Sequence, residues 1–178
     1  MPGEAKTTAA KSALEVPAEI EVQIRGLMMD PVTNMPIVIL KDVESEMVLP
    51  IWVGIFEANA IAIELEKTAT PRPMTHDLLR DIARGLNARV SKVVVSELKD
   101  DTFYAVIWME QESETLAIDA RPSDAIALAL RFDCPIYVNR DVLASSKVAA
   151  IGAQNINPDE LRKWLENLND DEMGRYKM

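Results

Sequence analysis

An α+β domain built on a mixed, largely antiparallel sheet is what this sequence predicts, and three observations carry the prediction. Strand-period runs are joined by short turn-like segments, which favours antiparallel pairing. Alanine-rich apolar helices follow the strands in two places. Finally, the chain repeats itself: "DVESEMVLPI" (Asp42 to Ile51) aligns with "EQESETLAID" (Glu110 to Asp119), and "NAIAIEL" (Asn59 to Leu65) aligns with "DAIALAL" (Asp124 to Leu130) a similar distance on. We read this as an internal βββα duplication with a further helix inserted between the halves.

Taken in order, residues 1–18 are small, polar and aperiodic and read as a flexible leader; 19–148 read as the domain, and 149–178 as a helix with a frayed tail. "IEVQIR" alternates apolar Ile20, Val22 and Ile24 with polar neighbours, the period of a strand with one wet face. "MPIVILK" and "EMVLPIWV" complete a first set of three strands. "GIFEANAIAIELEK" holds good helix formers without an internal proline, predicting a helix from about Ile55 to Glu66. "TPRPMTHDLL" starts the inserted helix, with Thr75 as cap, Gly85 as stop and Leu78, Leu79, Ile82 and Leu86 as one apolar face. "RVSKVVVSEL", "TFYAVIWME" and "ETLAIDA" form the second set of strands, the first two joined by a "KDD" hairpin. The helix "SDAIALALR", a short "CPIYV" strand and the turn "NRDVLASSK" follow. In the tail, Leu161, Trp164, Leu165 and Leu168 make an apolar stripe. Trp52, Trp108 and Phe103 lie in apolar strands and read as core, and the nine methionines as adaptable packing. The two repeated helices are apolar on more than one side, so part of their surface is expected at a subunit interface, giving a homo-oligomer.

Composition narrows the function classes. Hydrophobic residues are 48% and charged residues 27%, as in an ordinary globular protein. The lone Cys134 forms no internal disulfide and no paired cysteines point to zinc, which fits a reducing compartment. Neither a signal-peptide apolar stretch nor a membrane-length run is present, so the expected location is cytoplasmic, without a membrane partner. The net charge is −10, and residues 21–156 still hold 20 acids against 13 bases. Such a fold repels polyanions at long range, so phosphate binding needs a local cationic pocket or a metal.

Two helix starts carry the candidate chemistry. "RPMTHD" and "RPSD" both place arginine and proline just before a hydroxyl and an aspartate. Capping explains Thr75, Ser123, Asp77 and Asp124, since a hydroxyl accepts a free helix N–H and a carboxylate favours the positive dipole end. It does not explain Arg72, Arg121 or the only histidine, His76, because cations oppose that dipole. A structural ion network of Arg121 with Asp119 or Asp124 is one reading. The other takes His76 as a general base or ligand, the arginines with Ser123 as phosphate contacts, and two nearby carboxylates as holders of magnesium or manganese. Glu57, in the first turn of its helix, is a further carboxylate.

The blocks "LPIWVGIFEANAIA", "RPMTHDLL", "TFYAVI" and "DARPSDAIALALR", in that order between about Glu21 and Val148, resemble the bifunctional nuclease family. The resemblance implies a compact, self-associating α+β domain acting on DNA and RNA. Eight residues within the matching blocks are then the expected site: His76, Asp77, Asp119 and Asp124 as catalytic groups, Arg72, Arg121 and Ser123 at phosphate, and Glu57, Asp119 and Asp124 at a divalent metal. The tail does not resemble the UvrB/UvrC interaction motif that some relatives carry. A nuclease predicts that these charges converge in one cleft; a non-enzymatic oligomeric ligand- or protein-binding module predicts ion pairs closed on themselves and no open metal position.

Overall fold

The computed structural model describes residues 18–152, with side chains through 146, so the leader 1–17 and the tail 153–178 lie outside the described residues. Three strands, β1 (Glu19–Met29), β2 (Pro36–Asp42) and β3 (Val48–Trp52), form an antiparallel meander that leads into α1 (Ile55–Leu65). After α2 (Thr75–Gly85), a second antiparallel meander of β4 (Ala88–Lys99), β5 (Thr102–Gln111) and β6 (Glu114–Ala120) leads into α3 (Pro122–Phe132). β7 (Ile136–Asn139) and α4 (Arg140–Gly152) close the order, and α4 runs through the domain end expected at 148. The sheet order is β3-β2-β1-β7-β4-β5-β6. β7 joins the meanders, antiparallel to β1 and parallel to β4, so the fold is α+β on a mixed, mostly antiparallel sheet. The two halves share an element order of three antiparallel strands followed by a helix.

Local chemistry sets the turns. Asp100 and Asp101 both take left-handed φ values of 49° and 58°, the conformation a tight hairpin needs and one that aspartate tolerates. Between β1 and β2, buried Asp30 accepts hydrogen bonds from Val32 N–H (2.9 Å), the Thr33 hydroxyl (2.6 Å) and Trp52 Nε1–H (2.9 Å). Burial alone would raise the Asp30 pKa, but these donors outweigh it and lower the value. Trp52 is therefore half-buried and tied at a hairpin, and Trp108 lies half-buried with the Lys92 ammonium 5.7 Å from its ring, whereas Phe103 packs on the core as expected.

α3 lies inside the chain's own core. Ala125 to Ala129 are all buried, packed with Val93, Val95, Ala105 and Ile107 of the sheet, and α3 contacts both α1 and α2. The expectation that α3 needs a subunit interface is corrected: neighbouring elements of the same chain already cover it. α1 buries only Ala58, Ile61 and Ala62, leaving Ile55 and Phe56 exposed. The apolar face of α2 is left uncovered among the described residues: Leu78, Leu79, Ile82 and Leu86 are exposed and Ala83 is its one buried residue. It ends at Gly85 as predicted, with the left-handed residue supplied by Asn87 (φ 57°). Cys134 is half-buried, and burial pushes its thiol pKa to about 11, so it stays protonated at neutral pH. Among the described residues no helix is long and apolar enough to cross a membrane.

Candidate active site

Three helices bring their first turns to one rim. α3 follows directly from β6, and its start carries Arg121 and Asp124; α1 and α2, packed on either side, carry Glu57 and His76. Arg121 donates from Nε to Asp124 Oδ2 at 2.8 Å, from Nη2 to Asp124 Oδ1 at 3.2 Å, and from Nη1 to Glu57 Oε1 at 2.8 Å. His76 Nε2 lies 3.0 Å from Asp124 Oδ1. Residues 48 and 64 positions apart thus share one hydrogen-bonded chain, Glu57 to Arg121 to Asp124 to His76.

The electrostatics of that chain have a definite sense. Burial would raise the Asp124 pKa, but hydrogen bonds from Arg121 and His76, with their charges, outweigh it and hold the carboxyl below its ordinary 3.8. The two carboxylates in turn raise the Arg121 pKa, Asp124 contributing most and Glu57 next. With Asp124 ionised, a neutral His76 must carry its proton on Nε2 to donate it, which leaves Nδ1 as the basic nitrogen. The Arg121 side chain is 65% exposed, Asp124 30% and His76 11%, so the guanidinium faces solvent while the imidazole sits behind it.

Gly54 has an ordinary extended backbone (φ −71°, ψ 162°), so conformational freedom is not the reason for glycine there. A Cβ on Gly54 would collide with Glu57 Oε2, which folds back over the start of α1. The missing side chain leaves room for Glu57 to reach Arg121.

Asp77 belongs to a second, deeper layer. Its Oδ2 accepts Met74 N–H at 2.9 Å, capping α2, and its Oδ1 accepts Arg131 Nε–H at 2.7 Å. Arg131 also donates to Ala127 O (2.9 Å) and Ala60 O (3.1 Å), and its side chain is completely buried. Burial would raise the Asp77 pKa, but Met74 N–H and Arg131, with a contribution from Arg80, lower it. Sequence reasoning assigned Arg131 no role; the only signal was an arginine in the last turn of an otherwise apolar helix, and its partners lie 54 and 71 residues away.

Other predicted residues stand apart. Asp119 pairs with Val106 and Ile118 with Ile107; since buried Ile107 faces the core, Asp119 projects from the opposite face of the sheet and makes no side-chain bond among the described residues. Ser123 is 7% exposed and is not the cap of α3, a position held by Arg121, so its hydroxyl is not open to a phosphate. Likewise Met74, not Thr75, occupies the cap position of α2. Arg72 is exposed, and the one bond recorded there is its carbonyl accepting the Thr70 hydroxyl at 2.9 Å. For a metal the donor set does not fit as arranged. No group of three or more His, Cys, Asp or Glu side chains among the described residues could hold an ion, because Glu57 and Asp124 turn their oxygens to Arg121 and His76, while Asp119 lies across the sheet.

Comparison with known proteins places this α+β chain in a class of nuclease domains. The sequence profile described as "Bifunctional nuclease domain" matches residues 38–150, and the chain belongs to that family. An uncharacterized protein of Mycobacterium tuberculosis is 33% identical over 161 residues, covering 85% of this chain and 96% of that one. Bifunctional nuclease 1 of Oryza sativa subsp. japonica is 28% identical over 116 residues, 64% of this chain and 35% of the rice protein. Bifunctional nuclease 1 of Arabidopsis thaliana is 25% identical over 126 residues, 68% of this chain and 39% of the relative.

Proposed function

We propose that this chain hydrolyses phosphodiester bonds of DNA and RNA at the rim formed by Glu57, His76, Arg121 and Asp124. The observation that carries the reading is the convergence of these four side chains from three separate helix starts into one solvent-reached chain. Asp124 holds Nε2–H of His76, so Nδ1 takes a proton from water. The water oxygen forms a bond to phosphorus, the bond from phosphorus to the leaving sugar oxygen breaks, and that oxygen departs with a proton from solvent. Water is the nucleophile common to both polymers, since DNA lacks a 2′-hydroxyl. Arg121, the exposed member, meets the non-bridging phosphate oxygens. A contact to phosphate carries no base information, which suits a broad substrate range. A magnesium or manganese ion would have to arrive with the substrate, because Glu57 and Asp124 turn their oxygens to Arg121 and His76.

The test is cleavage of labelled single- and double-stranded DNA and RNA with magnesium, manganese or EDTA, beside folded His76→Ala and Arg121→Gln variants. Cleavage that both substitutions abolish supports the reading; cleavage that survives them sinks it. A second reading, a non-enzymatic ligand- or protein-binding module, is favoured by one observation: Arg121 finds acceptors for Nε, Nη1 and Nη2 within the chain. Inert protein under all conditions supports that module.

A further inference from the structure

We propose that Arg131 is a positioning residue: through Asp77 it fixes the start of α2 and thereby seats the His76 imidazole on Asp124. The kinetic consequence rests on the nuclease reading, whereas the geometric claim does not.

A helix is ordinarily held in place by burying an apolar stripe. α2 does not do this, because its leucines and isoleucine at 78, 79, 82 and 86 face outward and Ala83 alone is buried. Something else must fix its N-terminal turn. At the far end, Gln111 Nε2 donates to Leu86 O at 2.8 Å. At the near end the described structure offers the Asp77 to Arg131 pair and the contact of His76 with Asp124.

Arg131 is suited to the task because it sits in α3 and is also tied to α1. Its Nη2 donates to Ala60 O in α1 and its Nη1 to Ala127 O in α3, so the guanidinium is anchored to the backbones of the helices that carry Glu57 and Asp124. The third arm holds Asp77, the residue after His76, whose second oxygen caps α2 by accepting Met74 N–H. Registry between the three helix starts therefore passes through one buried planar group. Buried ion pairs are poor sources of net stability compared with apolar packing, and their best-attested use is to specify one arrangement over others.

A single histidine makes the claim measurable without any assay of cleavage, because the imidazole 15N and Nε2–H signals have only one origin. In the unaltered protein we expect a neutral Nε2–H tautomer whose proton exchanges slowly with water, with Asp124→Ala as the reference for a released ring. Arg131→Gln and Asp77→Asn should each give the released-ring signature while the backbone spectrum stays folded. If cleavage is present, kcat should fall about 10- to 100-fold at nearly unchanged KM, as a misplaced base requires. A protected Nε2–H that persists in either folded variant, or that is missing from the unaltered protein, overturns the proposal. Should Arg131→Gln fail to fold, Asp77→Asn decides, since it keeps the side-chain volume and an oxygen acceptor. Absence of cleavage with the expected spectra would remove the nuclease reading and leave the positioning role standing.

Discussion

Two arginines ten residues apart on and before the same helix do opposite things. Arg121 reaches its two part-buried carboxylates with most of its own side chain in solvent, whereas Arg131 is entirely buried and its carboxylate partner Asp77 is 17% exposed. In water the attraction between exposed charges is weak and side-chain entropy opposes it, so the outer network can open for a ligand at small cost. The inner guanidinium has no such freedom, because losing a partner would strand a charge away from water. The difference separates a part that can exchange partners from a part that keeps the helices in register.

Removing Arg131 is the strongest way to test that contrast. Arg131→Gln should destabilise the protein by about 3 to 5 kcal/mol, read by urea unfolding, because Asp77 is left without its cation. A loss as small as that of a surface pair would erase the distinction between the layers. Next in size is an effect on chemistry: His76→Ala should lower cleavage about 10²- to 10⁴-fold, the range of a lost general base, while the fold is retained.

Acid separates the layers more finely. Both Asp77 and Asp124 have folded pKa values below 3.8, so each contributes stability that is present above the unfolded value and lost as pH falls through the lower folded one. The melting temperature should hold steady above about pH 5 and decline below about pH 4. Asp77→Asn should flatten that decline more than Asp124→Asn, since its partner is the buried arginine. Equal slopes would place both carboxylates in one environment.

Arg121→Gln sits lower on the scale of stability, at about 1 kcal/mol or less by thermal melting, yet it should weaken binding of a short single-stranded oligonucleotide and reduce its salt dependence. The smallest change is Gly54→Ala. Its backbone conformation suits alanine, so stability should stay within about 0.5 kcal/mol, but the new methyl pushes Glu57 off Arg121. Tighter oligonucleotide binding by this variant would show that Glu57 competes with phosphate for Arg121; unchanged binding would make that contact incidental.

Much of this molecule was legible along the chain. The α2 limits, the hairpin at Asp100, and the helix from Ile55 follow from proline placement, turn residues and apolar spacing, all of them interactions within a few positions. The face of Asp119 was legible too, since alternation through "LAID" sets it opposite Ile118, but its nearness in sequence to Arg121 outweighed that signal. That the α2 stripe faces outward was not legible, because a periodic apolar face says that a helix has two sides, not which neighbour covers one of them.

Local patterns therefore determined the elements, the family resemblance and the residue types at each helix start, because capping, strand alternation and turn sterics act over a handful of bonds. Tertiary structure alone decided that Arg121 reaches Glu57 rather than Asp119, that Ser123 is buried, and that Arg131 ties three helices together. The contacts of Arg121 with Glu57 and of Arg131 with Asp77 and Ala60 span tens of residues, and which of many carboxylates an arginine meets is settled only when packing has brought the helices side by side.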